Sequence, residues 1–335
     1  MRSDAFDFLL PDDLIAQFPL PERDRSRLMV LGREGSVAHR SFGEITDYLS
    51  AGDLLVLNDT RVYPARLEGR KESGGMLDIL LVRTAGDLAW DVLSRGSYTG
   101  RVSFSESITG FLQEGRRLSF SAADVSPDAL REIGEMPLPP YIRRKPCDLD
   151  KKRYQTVYAK NEGSIAAPTA GLHFTEELLN GIAEMGVTIA YITLHVGTGT
   201  FRLIRTDHIA DHSMEHEFFE IDARIPDAIE KTKAAGKRIF AVGTTTTRAI
   251  EGLFSKQAVI QSMNGIISGS TNIFMYPGYQ FRAVDCLVTN FHLPRSAPLL
   301  LASALAGREH LLSAYAEAIR EKYRFFSYGD AMLIL

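Results

Sequence analysis

The sequence predicts an α/β protein whose mostly parallel sheet is flanked by helices, with a small β-barrel domain inserted into it. Strand-like and helix-like segments alternate after residue 154, which is typical of a parallel sheet covered by helices. Short alternating runs separated by glycine-containing turns fill residues 66–120, which favours a barrel or a sandwich. The 335 residues are 45% hydrophobic, enough for a sizeable core and more consistent with two domains than with one.

The first 62 residues contain the strand that decides the domain organisation. A strand at 26–31 and a short helix at 42–49 precede the segment LLVL at 54–57, which is apolar throughout. Such a strand belongs in the centre of a sheet and needs helices on both faces. We therefore expect residues 1–62 and 151–335 to form one discontinuous domain, with 63–150 as an inserted barrel domain that ends in a proline-rich connector. The alternative is a separate domain joined by a linker.

The later part of the chain supplies the remaining elements in order. A helix is expected after Thr175, with Glu176 and Glu177 favourably placed in its first turn. Strands are predicted at 188–195, 238–242, 285–289 and 331–335. Helices are predicted at 226–235, from 244 onward, at 298–305 and at 310–323.

Composition excludes several classes of protein. The formal net charge is −4, so overall charge does not indicate a nucleic-acid binder. Cys147 and Cys286 lie far apart without CxxC spacing, too few for a disulfide framework or a cysteine-based zinc site. The N-terminus lacks the order of a signal peptide, and no apolar run approaches the ~20 residues that span a bilayer. We expect a cytoplasmic protein with no membrane partner.

Five polar turns are the candidate functional segments: NDTR (58–61), AAPTAGLHF (166–174), HVGTGTF (195–201), GTTTTR (243–248) and NFHLPRS (290–296). Four of them follow predicted strands, and ligands bind at the carboxyl ends of strands in open α/β sheets. Ordinary turn and capping chemistry is the alternative for each segment.

The segment GTTTTR opens a predicted helix. Amides without partners at a helix N-terminus favour an anion, and Arg248 offers a partner for a carboxylate or a phosphate. The GxxxxGK[ST] pattern of a phosphate-binding loop is missing, so a nucleotide triphosphate is not indicated. A plain threonine cap is the alternative.

Histidines provide the candidates for proton transfer. His173, His195 and His292 lie in three of the turns, and imidazole exchanges protons near neutral pH. A second series, His208, His212 and His216, has the spacing of a metal site on a helix. The neighbouring EHEFFEID alternates like a strand instead, so we predict no metal.

Basic residues cluster in two segments, and a tyrosine lies at each end of the second. These clusters fit a surface that contacts RNA phosphates, although a charge run is often only a solvated face. The residues are Arg61, Arg66, Arg70, Lys71, Arg143, Arg144, Lys145, Lys151, Lys152 and Arg153, with Tyr141 and Tyr154.

Long ordered motifs resemble the S-adenosylmethionine:tRNA ribosyltransferase-isomerase family. The motifs are NDTRV (58–62), YQTVYAK (154–160), AAPTAGLHFT (166–175), LHVGTGTF (194–201), AVGTTTTRAIE (241–251), YPGYQF (276–281), TNFHLPRS (289–296) and YRFFSYGDAMLI (323–334). The resemblance runs from near residue 6 to the C-terminus and is weakest in the β-rich middle.

The resemblance implies a queuosine-pathway enzyme with the predicted α/β domain and inserted barrel. It implies transfer and isomerisation of the ribosyl moiety of S-adenosylmethionine onto 7-aminomethyl-7-deazaguanine in a tRNA anticodon loop, giving epoxyqueuosine-tRNA, adenine and methionine. S-adenosylmethionine is then a substrate and no cofactor is expected. The expected partner is tRNA, and the expected state is a monomer.

On this basis we assign roles as hypotheses for testing. His173, His195 and His292 are acid/base candidates, with Asp285 orienting one of them. The GTTTTR turn with Arg248 is assigned to the methionine carboxylate, and Asn58 with Arg61 to the sugar or the base. The whole set assigned to substrate binding is Asn58, Arg61, Pro168, Thr169, Gly171, Gly197, Gly199, Thr200, Gly243, Thr244, Thr245, Thr246, Arg248 and Asn290.

Two other classes compete with this interpretation. A methyltransferase with the same donor should show a glycine-rich loop after its first long strand and an acid after the next, and the sequence shows no such pair. A non-enzymatic RNA-binding module would explain the basic clusters, but not the His, Asn and Thr residues at buried strand ends.

Overall fold

The computed structural model describes residues 1–86, 88–120, 125, 127–197 and 203–335. Its strands are β1 Arg27–Leu31, β2 Val37–Ser41, β3 Leu54–Asn58, β4 Thr60–Val62, β5 Arg66–Lys71, β6 Met76–Thr84, β7 Ala89–Ser94, β8 Gly100–Ser103, β9 Thr109–Gln113, β10 Arg117–Phe120, β11 Asn161–Ser164, β12 Thr188–Leu194, β13 Glu217–Asp222, β14 Ile239–Val242, β15 Ala258–Met263, β16 Ile266–Thr271, β17 Cys286–Asn290 and β18 Ala331–Ile334.

The helices are α1 Pro127–Ile133, α2 Asp148–Arg153, α3 Glu176–Glu184, α4 Arg224–Ala234, α5 Thr244–Phe254, α6 Ala297–Ala306 and α7 Arg308–Arg320. Short 3₁₀ helices lie at Ser3–Phe6, Asp12–Leu14, Phe42–Tyr48, Thr169–His173 and Ile209–Asp211. Among the described residues, no helix is both long enough and apolar enough to cross a membrane.

A ten-stranded sheet dominates the molecule, in the order β15-β16-β13-β12-β3-β14-β17-β18-β1-β2. The neighbours β12, β3, β14 and β17 are parallel to one another, and β1 is parallel to β18. The other five pairings are antiparallel. The prediction of a mostly parallel sheet is therefore wrong.

Short connections explain two of the antiparallel pairings, β15 with β16 and β1 with β2. The two residues Asn264 and Gly265 join β15 to β16, with φ of 52° and 77°. Positive φ at both residues is the conformation of the tight hairpin turn that Asn-Gly favours. A parallel pairing would need a crossover of a dozen residues or more, which neither this connection nor the one between β1 and β2 provides.

The central strand β3 is buried on both faces, as its apolar sequence predicts. Leu55 and Leu57 pack into one hydrophobic cluster with residues of α3, while Leu54 and Val56 pack into another with residues of α4 and α5. Helices α6 and α7 cover the neighbouring part of the sheet around β17 and β18. The side chains alternate between the two faces because successive residues of a strand point to opposite sides.

The β-rich middle of the chain is a closed six-stranded barrel, in the order β10-β7-β6-β5-β8-β9. Every neighbouring pair in it is antiparallel, and β10 closes the barrel against β9. Leu67, Ile79, Val102, Leu112 and Leu118 fill its interior. The barrel lies in the chain between β4 and β11, which pair with each other. The proposed domain boundaries at residues 62/63 and 150/151 stay a prediction.

Candidate functional site

The carboxyl ends of four parallel strands meet at one edge of the large sheet. Asn58 ends β3, Leu194 ends β12, Val242 ends β14 and Asn290 ends β17. Because these strands are mutually parallel, the turns that follow them converge, as expected for a ligand site in an open sheet. The second predicted turn joins them through the 3₁₀ helix Thr169–His173, which packs on β17.

A cleft of about 660 Å³, measured with its open mouth, lies at this edge. Seven of the residues assigned from the sequence line it, and they come from three different turns: Pro168, Thr169, Gly243, Thr244, Thr245, Asn290 and His292. The cleft therefore brings together segments more than 100 residues apart in the chain.

Asn290 offers the cleft a buried acceptor that has no protein partner. Its Nδ2 donates to the Phe326 carbonyl at 3.2 Å and to His173 Nε2 at 3.1 Å. The carbonyl only accepts, so the amide nitrogen must face it, and Oδ1 is the remaining atom. No described residue donates to Oδ1. A buried polar atom without a partner is uncommon in native proteins, so a ligand N–H or O–H fits here.

The same contacts fix the protonation of His173. Because Nε2 accepts from Asn290, the ring proton sits on Nδ1 and donates to Ser26 Oγ, 2.7 Å away. Burial, and secondarily the positive charges of Arg324, Arg23 and Arg153, lower the pKa of His173 to about 3. The neutral ring therefore holds the Asn290 amide in place and does not itself line the cleft that Asn290 faces.

His292 is the histidine that lines the cleft. Its Nε2 lies 2.6 Å from Thr289 Oγ1, and its backbone N–H donates to the Tyr315 hydroxyl. Surrounding protein removes water from the ring and lowers the pKa of His292 to about 3, although part of the residue remains accessible. A neutral imidazole at neutral pH can accept a proton or offer a hydrogen bond, which keeps the acid/base hypothesis open for this residue.

Asn58 and His195 connect the turns to one another beside the cleft. Asn58 Nδ2 donates to Leu194 O and Thr245 Oγ1, while its Oδ1 accepts from the amides of Thr60 and Leu194. These four bonds use all the donors and acceptors of the side-chain amide. Asn58 therefore joins β3 to β12 and α5 and leaves no hydrogen bond for a ligand. His195 Nδ1 lies 2.8 Å from Thr60 Oγ1, and burial lowers the pKa of His195.

The GTTTTR segment opens α5 directly after β14. Gly243 has φ of 92°, a conformation that a side chain disfavours, and this sharp bend aims the helix N-terminus at the cleft edge. Thr246 and Thr247 turn their hydroxyls back to the carbonyls of Val242 and Gly243, whereas Thr244 and Thr245 line the cleft. The amides of the first turn have no acceptor within the helix, so they can hydrogen-bond a ligand.

Arg248 lies one turn further along α5, where it lines a small cavity with Thr244 and Thr245. Its Nη1 forms a buried ion pair with Glu217. Its Nε and Nη2 are buried and have no partner among the described residues. A guanidinium with two unused donors beside a cavity is suited to a carboxylate.

The remaining assigned residues lie elsewhere. Asp285 is just before β17, at the strand's opposite end from Asn290. It accepts from the Ile239 amide and lies 3.6 Å from Lys233 Nζ, with no described contact to a histidine. Arg61 is exposed on β4. Gly171 is packed against the Tyr158 hydroxyl without room for a Cβ, and Gly197 precedes Gly199 and Thr200, which lie outside the described residues.

Sequence reasoning missed an aromatic wall of the cleft, made by Tyr141 and Phe326. Their rings lie 4.7 Å apart, and the Tyr141 hydroxyl bonds Ser327 Oγ at 2.7 Å. Phe326 has φ of 69°, an outlier for an aromatic residue. The motif YRFFSYGD contained Phe326 and Ser327, so the signal was present, but only tertiary structure shows that they line this cleft. Aromatic rings of this kind suit a purine or another nucleobase.

The second histidine series forms no metal site in the part of the chain that the structure describes. His208 and His212 flank a 3₁₀ helix, and His216 precedes β13. The segment EHEFFEID therefore includes a strand, as its alternation indicated.

Comparisons with known proteins converge on one family. The family model described as queuosine biosynthesis protein matches residues 3–334. Proteins named S-adenosylmethionine:tRNA ribosyltransferase-isomerase from Thermodesulfovibrio yellowstonii and Halothermothrix orenii are 51% and 49% identical to this chain, over the full length of both partners. A crystal structure of S-adenosylmethionine tRNA ribosyltransferase from Thermotoga maritima is similar, with a TM-score of 0.57 and 36% identity over 99% of this chain and all of that one.

Proposed function

We propose that this chain, which belongs to the queuosine biosynthesis protein family, is an enzyme that uses S-adenosylmethionine and tRNA as a ribosyltransferase-isomerase. The finer proposal concerns the chemistry. The enzyme moves the ribosyl moiety of S-adenosylmethionine to the aminomethyl group of 7-aminomethyl-7-deazaguanine in the anticodon loop and isomerises it. The products are epoxyqueuosine-tRNA, adenine and methionine.

The observation that carries the proposal is the unpartnered Asn290 Oδ1 in a cleft with an aromatic wall. A nucleobase offers both a flat face for Tyr141 and Phe326 and N–H groups for an amide oxygen. The neutral His173 behind Asn290 keeps the amide in one orientation. Such preorganisation favours a reaction in which positions matter more than strong acids or bases.

Arg248 is proposed to hold the carboxylate of the methionine moiety. Its two unused donors suit that group, and the buried Glu217 beside it is suited to the neighbouring ammonium group of the same amino acid. The first-turn amides of α5 add donors next to this position. The sulfonium would then lie between α5 and Asn290, close to the histidine that lines the cleft.

The proton chemistry is assigned to His292 as a candidate. The sulfonium acidifies the adjacent carbon, so a neutral base nearby can remove a proton, and departure of adenine needs a proton in return. The proposed reaction involves no net oxidation or reduction, and S-adenosylmethionine is consumed as a substrate. We therefore propose no further cofactor. A monomeric state also remains a prediction.

The test is to incubate the protein with S-adenosylmethionine and a tRNA that carries 7-aminomethyl-7-deazaguanine, followed by mass spectrometry of nucleosides and small molecules. We expect epoxyqueuosine, adenine and methionine in equal amounts. The same tRNA with guanine at that position is the control and should give no product. S-adenosylhomocysteine would indicate a methyltransferase instead, and tRNA binding without consumption of the donor would indicate a binding module.

A further inference from the structure

A second, smaller cleft lies behind His173 and contains three arginines. Its lining includes Arg23, Arg153 and Arg324 together with Ser327. Ser327 also lines the larger cleft, so the two share a wall. Arg153 belongs to the second basic segment of the sequence and has no role in the proposed reaction.

The charges in this cleft are not neutralised equally. Arg324 lies 3.5 Å from Asp330, but neither Arg23 nor Arg153 has a carboxylate partner among the described residues. Arg23 donates only to the carbonyls of Leu172 and Lys152. Arg153 donates from Nη1 to the Pro21 carbonyl, and its buried Nε has no partner in the described part of the chain. Glu22 also lines the cleft, but its carboxylate is paired with Arg25.

This pattern contrasts with four other basic residues of the same segment, whereas Lys152 also lacks an ion pair among the described residues but is exposed. Arg143 is paired with Asp12, Arg144 with Asp150, Lys145 with Glu68 and Lys151 with Asp148. A run of basic side chains is usually a solvated, paired surface. The structure therefore separates Arg153 from its neighbours.

Two guanidinium groups held close together at a partly buried site repel each other unless an anion lies between them. Burial, and next the charge of Arg153, lower the pKa of Arg23 to about 10. Backbone carbonyls fix both side chains in place without cancelling their charge. Arginine donors arranged in this way are suited to the oxygens of a phosphate.

We propose that Arg23, Arg153 and Arg324 form a site for one backbone phosphate of the tRNA, next to the nucleotide whose base enters the larger cleft. This inference rests on the proposed function. The two clefts share a wall at Ser327. They are also connected by hydrogen bonds from Asn290 to His173 and from His173 to Ser26. A phosphate bound at this position would hold the nucleotide in place for the reaction, since phosphate contacts position a nucleic acid without reading its sequence.

The first test compares Arg23→Gln and Arg153→Gln with the control Arg143→Gln, whose exposed ion pair lies outside the cleft. We expect each test variant to raise the KM for tRNA roughly ten-fold, with the KM for S-adenosylmethionine unchanged. Each should also lower the slope of log Kd for tRNA against log salt concentration by about 1. A raised KM for S-adenosylmethionine alone would identify a carboxylate site, and variants equal to Arg143→Gln would overturn the proposal.

The main result of the second test comes from the wild-type protein. Anticodon stem–loops with a single methylphosphonate linkage near the modified nucleotide are bound to the wild-type protein, because this linkage lacks the charge. One linkage should weaken binding roughly ten-fold for the wild type and have no further effect on Arg23→Gln. If no linkage has an effect, the phosphate site is wrong. Binding is measured without turnover, so failure of the proposed reaction would be seen separately.

Discussion

The two ends of the same parallel strands differ in how their polar groups are satisfied. Before β3, the carboxylate of Asp53 accepts from the amides of Ser50 and Arg238 and pairs with the Arg238 side chain at 3.0 Å. Before β17, Asp285 accepts from the Ile239 amide. At the opposite end, Asn290 Oδ1 and two nitrogens of Arg248 have no partner among the residues that the structure describes.

The starts of these strands therefore contribute to stability, and their carboxyl ends contribute to function. A carboxylate whose hydrogen bonds are complete fastens the start of one strand to the next. A buried group that lacks a partner costs free energy of roughly 1–3 kcal/mol, which a ligand can recover by binding. Substitutions at the open end should therefore lower activity more than stability, and substitutions at the closed end should do the reverse.

The largest expected effect is that of Asn290→Ala at the open end. Loss of a preorganised group in a water-excluded site should reduce kcat/KM for adenine release by roughly 10²–10³-fold. The free energy of unfolding should fall by only about 1–2 kcal/mol, because His173 and the Phe326 carbonyl lose a donor. Adenine release is measured by chromatography. Activity within threefold of the wild type would contradict the role given to Asn290.

The second prediction concerns Asp53→Ala at the closed end. The change removes three acceptor contacts from a buried carboxylate and leaves Arg238 without its ion pair. We expect the free energy of unfolding in urea to fall by about 2–4 kcal/mol. The kcat of the folded protein should stay within about twofold of the wild type. A selective loss of kcat with unchanged unfolding would reverse the comparison between the ends.

The third prediction uses the histidines of the open end. Burial lowers the folded-state pKa of His173 and His292 to about 3, below the ordinary value of about 6.5 in an unfolded chain. The unfolded state therefore binds protons first as pH falls, and stability is complete above pH ~6.5 and is lost progressively towards pH ~3. Protonation of each histidine in the unfolded state should lower the free energy of unfolding by about 2 kcal/mol between pH 6.5 and 5.

The measurement is the unfolding free energy of the wild type and of His292→Gln across pH 5–7. The slope of the unfolding free energy against pH should be smaller in the variant, by the equivalent of up to one bound proton, because one of the two buried rings is gone. An identical slope in both proteins would mean that His292 is not buried in its neutral form.

Local pattern predicted the elements of the parallel centre well. LLVL at 54–57 became β3, and the β-branched run from Thr188 became β12. The antiparallel edges were missed, although Asn264-Gly265 between two alternating runs was an available hairpin signal. The strand at 37–41 was missed too, because VAHRS is largely polar and none of its residues is fully buried. Weak burial gives an edge strand weak hydrophobic periodicity.

For the candidate site, the sequence supplied the turns but not their connections. His173, His195 and His292 were equivalent by residue type and loop position, yet the fold gives them different surroundings. His173 holds Asn290, His195 contacts Thr60, and His292 lines the cleft. Asp285 was placed near a histidine by hypothesis, whereas β17 separates it from Asn290 by the length of the strand.

The sequence by itself determined the family, the apolar centre of the sheet and the turns where polar groups gather, since these depend on local order along the chain. The tertiary structure alone decided which polar atoms are satisfied. Whether Asn290 Oδ1, Arg248 and Arg153 have partners depends on residues distant in sequence, including Phe326, Glu217 and Pro21. Hydrogen bonds extend only about 3 Å, so a missing partner is visible only after the chain has folded.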